Sequence, residues 1–175
     1  MVNLHLILGG ARSGKSRFAE ERVRQLVSDS DTQIVPYYLA TATAEDDEMI
    51  TRIRQHQQQR NENWRLIEEP IELAKMITDK NHNHNDVILI DCLTLWLSNC
   101  LHKKCWPKQK AALLKAVEQS TSTLVMVSNE VGSGIIPMGQ LSREFVDESG
   151  RLHQDLASIA NTVTLVVAGL PLSLK

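Results

Sequence analysis

Apolar residues along this chain gather in short runs separated by longer segments of mixed character. Leu4 to Leu8, Ile34 to Leu39, Val87 to Ile90, Leu124 to Val127 and Val163 to Val167 are dominated by aliphatic and β-branched side chains. Runs of that length without polar alternation suit strands buried on both faces of a sheet. The segments between them have helical character: Lys15 to Val27, Glu45 to Gln58, Ile71 to Thr78, Leu93 to Leu101, Lys108 to Glu118 and Gln140 to Ala160. Strands alternating with helices predict an α/β fold with a largely parallel central sheet. No internal repeat or Gly/Ser-rich linker divides the chain, so a single domain over residues 1–175 is expected. The polar patch Lys80 to Asp86 reads as a solvated loop, and its two histidines as solvent-facing, not metal ligands.

Composition adds exclusions. A net charge of -2 implies no basic surface for nucleic acid. Three cysteines, Cys92, Cys100 and Cys105, form no Cys-x-x-Cys pair, which points to neither a disulfide framework nor a zinc site. No apolar run approaches the ~20 residues that a membrane-spanning helix needs. The N-terminal apolar segment lacks a basic leader and runs straight into glycines, so it reads as a first core strand, with a cytoplasmic setting expected.

Those glycines carry the strongest chemical signal. Gly9, Gly10, Ala11, Arg12, Ser13, Gly14, Lys15 and Ser16 fit G-x-x-x-x-G-K-[ST], between an expected strand and an expected helix. Glycines let successive backbone N–H groups converge on phosphate oxygens, and the helix N-terminus adds a favourable dipole. Lys15 is expected to reach the β- and γ-phosphates, and the Ser16 hydroxyl to ligate Mg²⁺. Chance alone produces the pattern in roughly one chain of this length in a couple of hundred. An acidic residue closing a buried strand is the usual companion of such a loop. Val87-Ile88-Leu89-Ile90-Asp91 supplies it, making Asp91 a second Mg²⁺ candidate.

The helix expected over Glu45 to Gln58 places Arg52, His56 and Arg60 at intervals of four, on one face. Flanking guanidinium groups disfavour the imidazolium and leave a nitrogen lone pair for attack on phosphorus. Spacing alone nonetheless favours the ordinary reading, a histidine hydrogen-bonded at a helix boundary. Asn129 to Gly134 follows a strand directly, where ligands bind in open α/β sheets, and Glu130 is a candidate there for substrate or metal contact; a plain structural turn is the equal alternative.

Together these residues resemble a known family, the bifunctional adenosylcobinamide kinase/adenosylcobinamide-phosphate guanylyltransferases of cobalamin biosynthesis. The resemblance runs through Gly9 to Arg17, Tyr38-Leu39-Ala40-Thr41-Ala42, Asp46 to Met49, Arg52-Ile53 with His56 and Arg60, Trp64-Arg65 with Glu68, and Asp91 to Thr94. It continues through Ser128 to Pro137, Arg143, Phe145, Asp147, Gly150-Arg151 and Val166 to Pro171. It implies a P-loop NTPase fold, a RecA-like three-layer sandwich with a mainly parallel sheet. It further implies two reactions: phosphorylation of adenosylcobinamide by a triphosphate, ATP or GTP, and transfer of GMP from GTP through a histidine to adenosylcobinamide phosphate. The family's Arg-Ile-x-x-His pattern puts that histidine at His56. Nucleotide contacts carry over to Ala40, Thr41, Ala42, Gln57, Gln58, Gln59, Arg60, Glu68 and Asp91, and a homotrimer is implied. The Leu101 to Pro107 segment is shorter than is usual in the resemblance, and His153 carries no implied role.

Two other function classes fit the loop alone. A small-metabolite kinase uses it with no covalent intermediate, and a nucleotide-switch module uses it under control of a protein partner. The chain has no Asn-Lys-x-Asp element for reading guanine, so guanine preference rests on the resemblance.

Overall fold

A computed structural model describes residues 2–30, 34–42, 64–79 and 85–175. Its centre is a seven-stranded sheet: β1 (Asn3–Gly9), β2 (Tyr37–Ala40), β3 (Arg65–Glu68), β4 (Val87–Asp91), β5 (Thr123–Asn129), β6 (Thr162–Val167) and β7 (Leu170–Ser173). The strand order is β3-β2-β4-β5-β1-β6-β7, and every pairing is parallel except that of β6 with β7. Five helices are described: α1 (Lys15–Ser28), α2 (Leu73–Ile77), α3 (Leu93–His102), α4 (Trp106–Gln119) and α5 (Gln140–Ile159).

Successive strand residues face opposite sides, and here each side has its own core. Leu4, Leu6 and Leu8 of β1, Ile88 and Ile90 of β4, and Leu124 and Met126 of β5 pack with Leu97, Leu113 and Leu152 of α3, α4 and α5. Ile7, Leu89, Val125 and Val127 pack with Ala19 and Val23 of α1. Helices thus cover both faces, giving the expected three-layer α/β sandwich. Trp96 and Trp106 belong to the first core, edge to face with ring centroids 5.2 Å apart. Their indole N–H groups donate to Ile71 O and Glu148 Oε2, both at 2.7 Å, so both tryptophans pack the core with their polar edge satisfied.

Two strands were not foreseen, and both lie at edges. In β3, only Ile67 is partly buried among Arg65, Leu66, Ile67 and Glu68, so no apolar run marks it. β7 is exposed throughout and contains Pro171, which an edge strand tolerates. The strand expected from Ile34 begins instead at Tyr37, because Pro36 has no N–H to give a ladder; its carbonyl still accepts from Arg65 N at 2.9 Å. Likewise α2 begins at Leu73, not Ile71. The Ile71 and Glu72 amides both donate to Glu69 Oε1 at 2.8 Å, forming a turn before the helix. α4 starts two residues earlier than expected, at Trp106, with Pro107 in its first turn, where a missing N–H costs nothing. The helix expected over Glu45 to Gln58 lies outside the described residues. Among the described residues no helix is long and apolar enough to cross a membrane, and no cluster of potential metal ligands forms from His, Cys, Asp and Glu alone.

Candidate active site

The phosphate loop begins where β1 ends. Ser13 N donates to Gly10 O at 3.2 Å, and Arg12 and Gly14 take φ values of 56° and 92°, so the chain coils tightly before entering α1. Glycine is required at two of these positions. A Cβ on Gly9 would lie 2.6 Å from the Val166 carbonyl oxygen and 2.5 Å from Ser13 Oγ, and at Gly14 the positive φ is itself costly for any other residue. The loop is braced from the far side by the β6–β7 turn, where Gly169 N donates to Ser13 O at 2.8 Å. The position a Cβ would take on Gly10 is open, so one side of the loop backbone is clear for a ligand.

This geometry suits a polyphosphate. Gly14 caps α1 with no side-chain hydrogen bond, so the first-turn amides of the helix are left for an anion. Lys15 is buried, and its Nζ donates to Gly10 O at 3.1 Å, which holds the ammonium over the loop. Ser16 follows in the first turn and is partly buried.

Asp91 closes β4. In the ladder it pairs with Val127, which pairs with Ile7, so its carboxylate stands two strands, roughly 10 Å, from β1. Strand alternation puts Asp91 on the α1 face along with Leu89, and Tyr38 of β2 shares that face and donates its hydroxyl to Asp91 Oδ2 at 2.9 Å. A serine hydroxyl and a carboxylate at the same edge form the hard oxygen donor set that Mg²⁺ prefers.

The strand ends beyond Asp91 carry the nucleotide positions that the resemblance implied. Ala40 is level with Asp91 on one side and Glu68 on the other, and all three lie on the α1 face. Thr41 is fully buried and works as a clamp: it donates Oγ1–H to Cys92 O at 2.7 Å and accepts from Cys92 N at 2.9 Å. Its own carbonyl accepts from Asn99 Nδ2 at 3.0 Å. Thr41 therefore positions the Asp91 corner, and its hydroxyl is spent within the protein. Ala42 follows, partly buried. Glu68 sits four strands from β1 along this edge, roughly 19 Å away, at the far end from the phosphate loop. His56, Arg52, Gln57, Gln58, Gln59 and Arg60 lie outside the described residues.

Cys92 and Cys100 offer no nucleophile. Burial, aided by the Asp91 charge, pushes the Cys92 thiol up to about 11, and burial beside Cys105 pushes Cys100 up to about 12, so both stay protonated near neutrality.

The end of β5 closes the site on the other side of Asp91. Asn129 pairs with Gly9, and Glu130 N donates to Gly9 O at 3.0 Å. Burial would raise the Glu130 carboxyl, but hydrogen bonds from the Ser133 hydroxyl and the Gly132 and Ser133 amides outweigh it and hold the group below its usual range. Glu130 Oε1 accepts from Gly132 N at 2.7 Å, so this carboxylate organises the turn that follows the strand. Tyr38, Thr94 and His153 were not singled out for roles by the sequence. His153 is 25 positions from its partner Ser128, and no local pattern links them. A separate groove of about 810 Å³ lies between α3, α4 and α5, lined by Leu101, Trp106, Ala111 and Leu141, and none of the phosphate-loop residues borders it.

A phosphate loop on a mainly parallel sheet, with an acidic strand end on the face of its helix, defines a P-loop nucleotide-binding protein. Sequence comparison narrows that class. The profile of the cobinamide kinase/cobinamide phosphate guanyltransferase family matches residues 5–174. The chain is 44% identical over 173 residues to the bifunctional adenosylcobalamin biosynthesis protein CobP of Pseudomonas aeruginosa, covering 97% of this chain and 96% of the relative. It is 39% identical over 186 residues to the bifunctional adenosylcobalamin biosynthesis protein CobU of Escherichia coli, covering 97% and 98%. The protein of the same name from Salmonella typhimurium is 35% identical over 186 residues, again covering 97% and 98%. The chain belongs to the cobinamide kinase/cobinamide phosphate guanyltransferase family, and both transferase activities are those of an enzyme of cobalamin biosynthesis.

Proposed function

We propose that one phosphate grip serves two transfers at different phosphorus atoms of the triphosphate. The observation that carries this reading is the α1 N-terminus: amides without a side-chain cap, the buried Lys15 ammonium beside them, and Asp91 on the same sheet face. In the kinase step a hydroxyl of adenosylcobinamide attacks the γ-phosphorus of ATP or GTP. The bond from the γ-phosphorus to its bridging oxygen breaks, the nucleoside diphosphate leaves, and the hydroxyl proton is lost. Lys15 and the loop amides hold the β- and γ-phosphate oxygens through the transfer.

In the guanylyl step a ring nitrogen of His56 attacks the α-phosphorus of GTP, forming a P–N bond while pyrophosphate departs. A phosphate oxygen of adenosylcobinamide phosphate then attacks the same phosphorus, the P–N bond breaks, and adenosylcobinamide-GDP results. The loop that held the transferable phosphate in the first reaction now holds the leaving pyrophosphate. β2 ends level with Asp91, where Ala40 pairs with it, and His56 follows β2 in the chain. By the family resemblance, Arg52 or Arg60 would balance charge on the α-phosphate, and Gln57, Gln58, Gln59 and Glu68 would contact the nucleotide. Ser16 and Asp91 would hold Mg²⁺, which supplies neutralisation of phosphate charge. The working assembly is a homotrimer in the cytoplasm, which equilibrium sedimentation and fractionation test.

The experiment follows each phosphorus into corrinoid product. Label from γ-labelled triphosphate is expected in adenosylcobinamide phosphate, and label from α-labelled GTP in adenosylcobinamide-GDP only when the phosphorylated corrinoid is present. Hydrolysis of both triphosphates without either product would overturn the reading.

A further inference from the structure

The end of β5 is held by polar groups reaching it from the sheet face opposite the nucleotide. His153 of α5 places Nε2 2.8 Å from Ser128 Oγ, and Ser128 Oγ lies 3.3 Å from Thr94 Oγ1 at the start of α3. Thr94 Oγ1 accepts from the Asn129 amide at 2.7 Å. Ser128 and Thr94 are buried, so each link is shielded from water. The chain of bonds ends on the main chain of Asn129.

Asn129 is the residue whose placement matters. β5 lies between β4, which ends at Asp91, and β1, which ends at Gly9, and Asn129 is level with Gly9. Alternation from Val125 and Val127 puts its side chain on the α1 face, the same face as Asp91 and the phosphate-loop helix. Its Oδ1 is buried with no hydrogen-bond partner. A carboxamide has two forks, an acceptor oxygen and a donor nitrogen. With the oxygen turned into the fold, the NH₂ is the fork left for a ligand, and a donor between a Mg²⁺-type carboxylate and a phosphate loop matches a phosphate oxygen.

We propose that Asn129 contacts the transferred phosphate in the kinase reaction, and that His153 is a positioning residue that holds it there through Ser128 and Thr94. The proposal rests on the phosphate-loop reading above and is independent of the role given to His56. Glutamine is the informative replacement at position 153, because its terminal amide extends to about the reach of Nε2 whereas asparagine falls short of it.

The test measures γ-phosphate transfer from GTP to adenosylcobinamide by the full chain. His153→Ala is expected to lower kcat about tenfold or more, with KM for GTP within about twofold and thermal stability nearly retained. His153→Gln is expected to recover most of the loss. Asn129→Ala should lose at least as much as His153→Ala, and the double variant should be no worse than Asn129→Ala alone, because both act through one contact. In parallel, the γ-phosphate ³¹P shift of a bound non-hydrolysable GTP analogue should move in Asn129→Ala and His153→Ala and return in His153→Gln. This second readout needs no corrinoid turnover, so failure of the kinase reading and failure of this inference are separable. Unchanged kcat in His153→Ala, equal losses in the Ala and Gln variants, losses that multiply in the double variant, or a ³¹P shift indifferent to Asn129 would each overturn the proposal.

Discussion

The hydroxyl of Tyr38 donates to Asp91 Oδ2 at 2.9 Å across the β2–β4 pair, leaving the other carboxylate oxygen for a ligand. Tyr38 is itself buried and edge to face with Trp64, ring centroids 5.6 Å apart, so the phenol is fixed before any nucleotide arrives. Asp91→Asn is expected to lower kcat/KM of both transfers by roughly 10²-fold or more and to raise the Mg²⁺ concentration needed for half-maximal rate. Tyr38→Phe, which frees the carboxylate without removing it, should cost about tenfold or less in the same assay. Equal effects of the two variants would mean that Asp91 does not meet the metal.

The Thr41 clamp is a stability device beside that carboxylate. Thr41→Val keeps the shape but leaves the Cys92 N–H and C=O without their hydroxyl partner in a fully buried setting. A loss of about 2 kcal/mol in unfolding free energy is expected by urea titration. A change below about 0.5 kcal/mol would show that the corner is held by its other bonds.

Gly9→Ala tests the loop's geometry separately from its charge. The added methyl meets a backbone carbonyl at 2.6 Å, which a side-chain rotation cannot relieve. Triphosphate affinity should fall at least about tenfold, while Lys15→Ala should reduce rate more than it reduces folding stability. Wild-type affinity in Gly9→Ala, read by isothermal calorimetry, would contradict the close approach of β1 and β6.

Two histidines set an acid-side dependence of stability. Burial, assisted by Arg22, lowers His5, and burial lowers His153 against an opposing pull from Glu130. In the unfolded chain both titrate near the ordinary value of 6.5. Just below that pH the unfolded state therefore binds more protons than the folded state. The sign follows: stability is full above 6.5 and falls as pH drops, until the folded histidines also protonate. Urea midpoints measured between neutral pH and about pH 5 should decline for the wild type and decline less for His153→Gln. An identical slope in the two proteins would remove His153 from this account.

Much of the fold was legible because the central strands are buried on both faces and advertise it. Val87 to Ile90 and Leu124 to Val127 carry no polar residue, and the alternation of strand and helix leaves few topologies. The edge strands β3 and β7 escaped because one-sided or exposed strands have no such run. In the site, the phosphate loop and Asp91 were legible since local spacing dictates them. Tyr38, Thr94 and His153 were not, because their partners lie 53, 35 and 25 positions away in the chain and meet only when the sheet forms. The resemblance implies nucleotide contact at Thr41, and the structure shows its hydroxyl bonded to Cys92.

The triphosphate held at Gly9 to Ser16 is proposed also to deliver GMP to His56. The direct measurement is incubation of the chain with Mg²⁺ and α-labelled GTP, followed by denaturing electrophoresis. Label should become protein-bound, be released by acid, be absent in His56→Ala, and chase into corrinoid on addition of adenosylcobinamide phosphate. Undiminished labelling of folded His56→Ala, or a wild type that makes adenosylcobinamide-GDP without ever carrying label, would contradict it.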